Sequence, residues 1–156
     1  MKSWGEKYMR RAIELAVKAR KNGNHPFGAV LADDTGKILL EAENTVITSR
    51  DCSGHAELNL IREASRKYEC AILAKCTIYA STEPCPMCAG AIYWANVRRV
   101  VFGLSEKVFY GTICQDSEES LYLPCEEIFK KGKKKIEVIG PILEKEAVQA
   151  HQGFWE

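Results

Sequence analysis

With 156 residues, 46% of them apolar and 28% charged, the chain has the length and balance of a single domain, residues 1–156, with a core of its own. A net charge of +1 excludes a broad electrostatic drive toward nucleic acid or a membrane surface. No apolar run approaches the ~20 residues that cross a bilayer, and "MKSWGEKYMRR" lacks the apolar stretch of a secretory signal, so the expectation is a cytoplasmic protein whose seven cysteines are reduced and whose function resides in local sites.

"SWGE" (3–6) reads as a capping box with Ser3 as N-cap. Met9, Ala12, Ile13, Ala16 and Val17 continue a helical stripe that Asn22-Gly23 can stop. "FGAVLA" (27–32) suits a strand, Asp33 to Gly36 a turn and "KILLEAE" (37–43) a returning strand, together a β-hairpin. Helix is expected over 54–68, strand over 76–81, helix over 86–95 and strand over 98–104. After a polar stretch come a short helix (124–132), a strand (135–140) and a last helix from 143 to about 154. This alternation predicts an α/β fold, a three-layer αβα sandwich around a five-stranded mixed sheet. Its first hairpin is antiparallel and its remaining strands are parallel. "KKGKKK" (130–135) reads either as a solvated turn offset by upstream acids or as an RNA-contacting patch.

Cys85 and Cys88 form C-x-x-C, which alone fits a redox pair, a structural zinc site or a catalytic one. "GHAE" upstream narrows the choice, because H-x-E followed by P-C-x-x-C is the pattern of zinc deaminases. Residues two apart on a regular helix diverge, so His55 and Glu57 can share a site only if His55 stands at or just before a helix start. Gly54 gives the backbone freedom there, and Pro86 suits the first position of the following helix. Two helix N-termini would then converge, their partial positive charge favouring thiolates. His55, Cys85 and Cys88 leave one position of a Zn2+ ion, one per chain, open to water, and Glu57 is free to carry protons. A closed structural site would need a fourth ligand from Cys52, Cys70, Cys76, Cys114 or Cys125. These five read as core thiols, with Cys52 in a polar loop the one expected at the surface.

"PFGAV" (26–30), Asn44, "HAEL" (55–58), "EPCPMCAGAIYWA" (83–95) and "RVVFG" (99–103) resemble the cytidine deaminase-like superfamily, in its guanine deaminase and tRNA adenosine deaminase branch. The resemblance implies zinc on His55, Cys85 and Cys88, with Glu57 as proton shuttle. It further implies substrate contacts from Asn44, Phe27 and the Ala56 amide, and a homodimer in which the position of Trp94 lines the subunit contact; Trp94 is also a candidate for touching the substrate. The long interval between "RRVVFG" and "KIEVIG" permits a crossover and a parallel last strand, which resembles this branch rather than the one acting on free cytidine. Phe154 and Trp155 are aromatics that could fold over a small base. The segment after residue 104 departs from the guanine deaminase pattern, with Asp116, Glu118 and Glu119 as the acids at hand. The expectation is a zinc-dependent aminohydrolase acting on a small purine-like nucleobase or nucleoside, other amino-purines or amino-triazines included. The alternatives are a tRNA adenosine deaminase and a non-catalytic zinc-stabilised binding module.

Overall fold

The computed structural model describes residues 3–115, 118 and 120–156. The side chains of Ser3 and Trp4 lie outside that description, and with them the expected capping box.

Helix α1 (Ser3–Lys21) leads into strands β1 (Gly28–Ala32) and β2 (Ile38–Glu43). A short helix α2 (Val46–Ser49) precedes α3 (Ala56–Lys67), and a second short one, α4 (Cys70–Leu73), precedes β3 (Thr77–Thr82). Helix α5 (Pro86–Trp94) connects to β4 (Arg99–Leu104). Then come α6 (Glu106–Val108), a π-helical turn (Phe109–Ile113), α7 (Cys125–Phe129), β5 (Glu137–Ile139) and α8 (Glu144–Gln149).

The five strands form one sheet in the order β2-β1-β3-β4-β5. β1 runs antiparallel to β2 and to β3, while β3, β4 and β5 are mutually parallel. The expected mixed sheet is therefore present, its parallel last strand reached by a crossover containing α7.

Alternation along the strands divides the core. Val30, Ala32, Tyr79 and Val101 meet Met9, Ala12 and Leu15 of α1 on one face. Ala29, Leu31, Ile78, Val100 and Phe102 meet Leu60, Ala64, Ala89, Ile92 and Phe129 of α3, α5 and α7 on the other. Because both faces are covered, every residue of β1 and of β3 is buried, and β1 reads as an unbroken apolar run. Gly28 lets α1 approach the sheet: a β-carbon there would stand 2.7 Å from the backbone nitrogen of Ala16 and closer still to the carbonyl of Ala12.

The sequence expectation differs from the structure mainly in the short elements. The polar stretch after β4 contains α6 and the π-helical turn, and the last helix ends at Gln149 rather than near 154. Turns over 150–154 then redirect the chain, which decides where Phe154 and Trp155 go.

Candidate active site

Two helix starts meet beyond the carboxyl end of β3. His55 is the N-cap of α3, with φ −68° and ψ 147°, and Cys85 is the N-cap of α5, with φ −67° and ψ 170°. Both side chains leave extended backbone just before a helix begins, so His55 and Glu57 share a site despite their spacing. Pro86 occupies the first turn of α5, where its missing N–H is no loss. Gly54 serves by close packing rather than by unusual backbone angles, since a β-carbon there would stand 2.9 Å from the Thr45 hydroxyl.

The Nδ1 atom of His55 lies 3.5 Å from Cys85 Sγ and 3.6 Å from Cys88 Sγ. Ordinary zinc–nitrogen and zinc–sulfur bonds at tetrahedral angles put nitrogen and sulfur about 3.6 Å apart. The three donors therefore already have the spacing of a zinc site. Among the described residues this trio has no fourth His, Cys, Asp or Glu, which favours an open catalytic site over a closed structural one. Of the other five cysteines, Cys76, Cys114 and Cys125 are buried as expected. Cys52 is exposed, and so is Cys70, contrary to the expectation of a core thiol, because it opens the surface helix α4.

The thiols share a hydrogen bond that separates their acidities. The Cys85 thiol is pulled down to about 4, chiefly by the Cys88 thiol and then by His55, whereas Cys88 is pushed up by that bond to Cys85 and by burial. His55 is raised by its bond to Cys85. Burial pushes the Glu57 carboxyl up to about 7, partly offset by His55. Glu57 is only 5% exposed. A carboxyl poised near neutrality is suited to accept and return a proton.

His55, Glu57 and Cys85 open onto a cavity of about 50 Å³ walled by the rings of Phe27, Phe109 and Tyr110. Phe27 and Phe109 meet edge to face at 5.9 Å. Thr82, Glu83 and Glu106 complete the lining.

The remaining sequence candidates fall in different places. Ala56 is the first residue of α3 and fully buried. Asn44 is buried just past β2, its backbone N–H donating to the Phe27 carbonyl and its Oδ1 accepting from Val46, and its side chain is outside the cavity lining. Trp94 stands at the far end of α5 from Cys85, 77% exposed, and does not reach this cavity. Phe154 packs on His25 and Arg20. Trp155 packs behind the wall, 5.5 Å from Phe109 and 6.2 Å from Phe27. Trp155 thus braces the pocket wall, Phe154 packs on Trp155 from outside, and neither terminal aromatic lines the cavity. Glu118 is exposed, and Asp116 and Glu119 lie outside the described residues.

Several residues at the site escaped the sequence reading. Glu83 is a buried clamp: Oε1 accepts from the Glu106 backbone N–H and Oε2 from that of Cys125, each at 3.0 Å, fixing the starts of α6 and α7. His151 is 2% exposed and accepts from the Trp155 indole N–H at Nδ1, which leaves Nε2 to donate to the Thr82 hydroxyl at 3.3 Å. Glu106 is also 2% exposed, its Oε2 without a hydrogen-bond partner and its carboxyl pushed up to about 9, first by burial and then by Glu83. A carboxyl two residues past the end of a buried strand was the available signal for Glu106. Nothing in the spacing pointed to Phe109 or Tyr110.

A family model described as the cytidine and deoxycytidylate deaminase zinc-binding region matches residues 2–104. A probable cytosine deaminase of Schizosaccharomyces pombe is 40% identical over 153 residues, 96% of this chain and 91% of that protein. A guanine deaminase of Bacillus subtilis is 38% identical over 125 residues, 73% of this chain and 80% of that protein. A structure solved in work on A-to-I editing by tRNA:A34 deaminases superposes with a TM-score of 0.72 at 27% identity, covering 93% of this chain and 99% of that one. The family match runs from α1 through β4 and takes in both halves of the ligand set, and the chain therefore belongs to the cytidine and deoxycytidylate deaminase zinc-binding family, as a deaminase with zinc as its cofactor.

Proposed function

We propose that the protein hydrolyses the exocyclic amino group of a free nucleobase, exchanging it for a carbonyl oxygen with release of ammonia. The observation carrying this reading is the cavity itself, small and walled by Phe27, Phe109 and Tyr110, with the ligand trio and Glu57 along one side. Those rings form faces on which a flat heterocycle can stack, and they shut out bulk water. The lysine run supports the same choice. The Lys134 ammonium donates to the Tyr93 carbonyl and the Lys133 backbone N–H to the Tyr93 hydroxyl, at the end of α5 remote from Cys85, and Lys130 pairs with Glu126 and Glu127. The described lining of the cavity contains neither lysine nor arginine.

His55, Cys85 and Cys88 would hold zinc, which when bound supplies the Lewis acidity that makes a water nucleophilic near neutral pH. Glu57 is placed to take the protons of the attacking water at its carboxylate and to return one to the ring nitrogen beside the reacting carbon and one to the exocyclic nitrogen, which departs as ammonia and leaves a carbonyl on the ring. The Ala56 amide, in the N-terminal turn of α3 where it has no partner within the helix, and Asn44, bonded through its backbone N–H to the Phe27 carbonyl, are the polar groups proposed to orient the ring. Purine-like bases of the guanine type and cytosine both fit this class, since relatives with those printed activities match most of the chain. The cytosine deaminase relative also matches the segment after residue 104, which supplies Phe109 and Tyr110.

An ammonia-release screen across guanine, adenine, cytosine, their nucleosides, amino-triazines and tRNA tests the reading. Turnover of a free base is expected, with Glu57→Gln reducing kcat by at least about 10²-fold at unchanged zinc content. Turnover confined to tRNA and falling steeply with salt would replace the free-base reading by tRNA editing.

A further inference from the structure

We propose that Glu106 is a substrate-contacting residue that sets which base is accepted, its Oε2 forming a hydrogen bond with the polar edge of the ring. The assignment rests on the free-base reading above and follows from accounting for the cavity's polar groups. His55 and Cys85 belong to the ligand trio and Glu57 to proton transfer. The Thr82 hydroxyl is engaged by His151, both oxygens of Glu83 accept backbone N–H groups, and the Tyr110 hydroxyl meets the Leu121 backbone. Glu106 lines the same cavity, is almost wholly buried, and has an oxygen with no partner. A buried carboxyl oxygen left idle is destabilising, and such exceptions concentrate where a ligand completes them.

The surroundings sharpen the argument. The Glu106 backbone is fixed by the Glu83 clamp at 3.0 Å, and the Ser105 hydroxyl caps the same turn by accepting from Val108 at 3.2 Å. The side chain is thus carried on a rigid start of α6, next to Phe109 and Tyr110 of the aromatic wall. Apolar walls provide affinity for any flat ring, whereas one fixed polar atom distinguishes rings by the donors and acceptors along their edges.

The experiment is steady-state kinetics of zinc-loaded wild type, Glu106→Leu and Glu106→Gln on the same panel of free bases, with zinc content and thermal melting measured in parallel. Glu106→Leu should raise KM for the best base about tenfold or more and reorder the preferred bases, while zinc content is unchanged and the variant stays folded. Glu106→Gln, close to isosteric, should shift KM in the same direction by at least about threefold. A folded, zinc-replete Glu106→Leu with the wild-type KM and base ranking would overturn the assignment. If that variant does not fold, unaltered KM and ranking in Glu106→Gln would do so. No ammonia from any free base with the wild-type enzyme would remove the free-base reading and this role together, whereas wild-type kinetics in the variants removes only the role of Glu106.

Discussion

His151 joins three parts of the site through one imidazole. The indole N–H of Trp155 can only donate, so Nδ1 of His151 must accept and Nε2 must carry the proton that Thr82 receives. A protonated ring would lose the Trp155 bond, and burial pushes the His151 value down to about 4, with Arg20 adding to the shift. The unfolded chain therefore binds more protons between about pH 4 and the ordinary value of 6.5. Stability from this group is complete above about pH 6.5 and declines as the pH falls toward 4, by about 3 kcal/mol in all. Denaturant unfolding of wild type and His151→Gln across that range should show the wild-type curve falling more steeply by this amount. Parallel curves would mean that His151 is not held neutral. The same residue shows why the placement of the aromatic tail was not legible in sequence. "HQGFWE" displays its rings, but whether they roof a pocket or brace its wall depends on a histidine–threonine contact that spacing does not encode.

At the scale of elements, Gly28 governs how close α1 comes to the sheet. Since an added methyl would meet the backbone of Ala12 and Ala16 rather than a flexible side-chain tip, Gly28→Ala must push helix and strand apart. The expected loss is about 3 kcal/mol, seen as a fall in Tm of about 6–12 °C. A melt within about 2 °C of wild type would show that α1 can shift freely. The elements that were legible in the sequence carry strong local instructions: an apolar stripe for α1, an unbroken apolar run for β1, and Pro86 at the start of α5. His55, Glu57, Cys85 and Cys88 were legible for a related reason, because their spacings make sense only at two helix starts. The π-helical turn over Phe109–Ile113 carries no such instruction, since Gly111 interrupts it and its apolar residues match neither helical nor strand period over so short a length. Its form is imposed by packing, with Phe109 buried against Leu104 and Ala147.

Across the whole molecule, the sheet delivers chemistry to one edge. β3 and β4 are parallel, so the loops beyond Thr82 and Leu104 leave the sheet side by side, one carrying Cys85 and the other Glu106, while α3 brings His55 to the same edge. The ligand trio thereby ties helices distant in sequence, and any metal held by His55, Cys85 and Cys88 binds the folded chain and has no preformed site in the unfolded one. Stability must then depend on free zinc, rising by about 1.4 kcal/mol for each tenfold increase above the dissociation constant. The corresponding Tm increment is about 3–6 °C per decade for a chain of this length. Melting in zinc buffers should show that dependence in wild type and in Glu57→Gln, whose substitution leaves the three donors in place. It should vanish over the same range in Cys85→Ser, which removes the thiol held near a value of about 4 and thus the donor most readily available as thiolate at neutral pH. A zinc-independent Tm in the wild type would break the link between the ligand trio and the fold. Loss of the dependence in Glu57→Gln would make Glu57 a ligand and remove it from proton transfer.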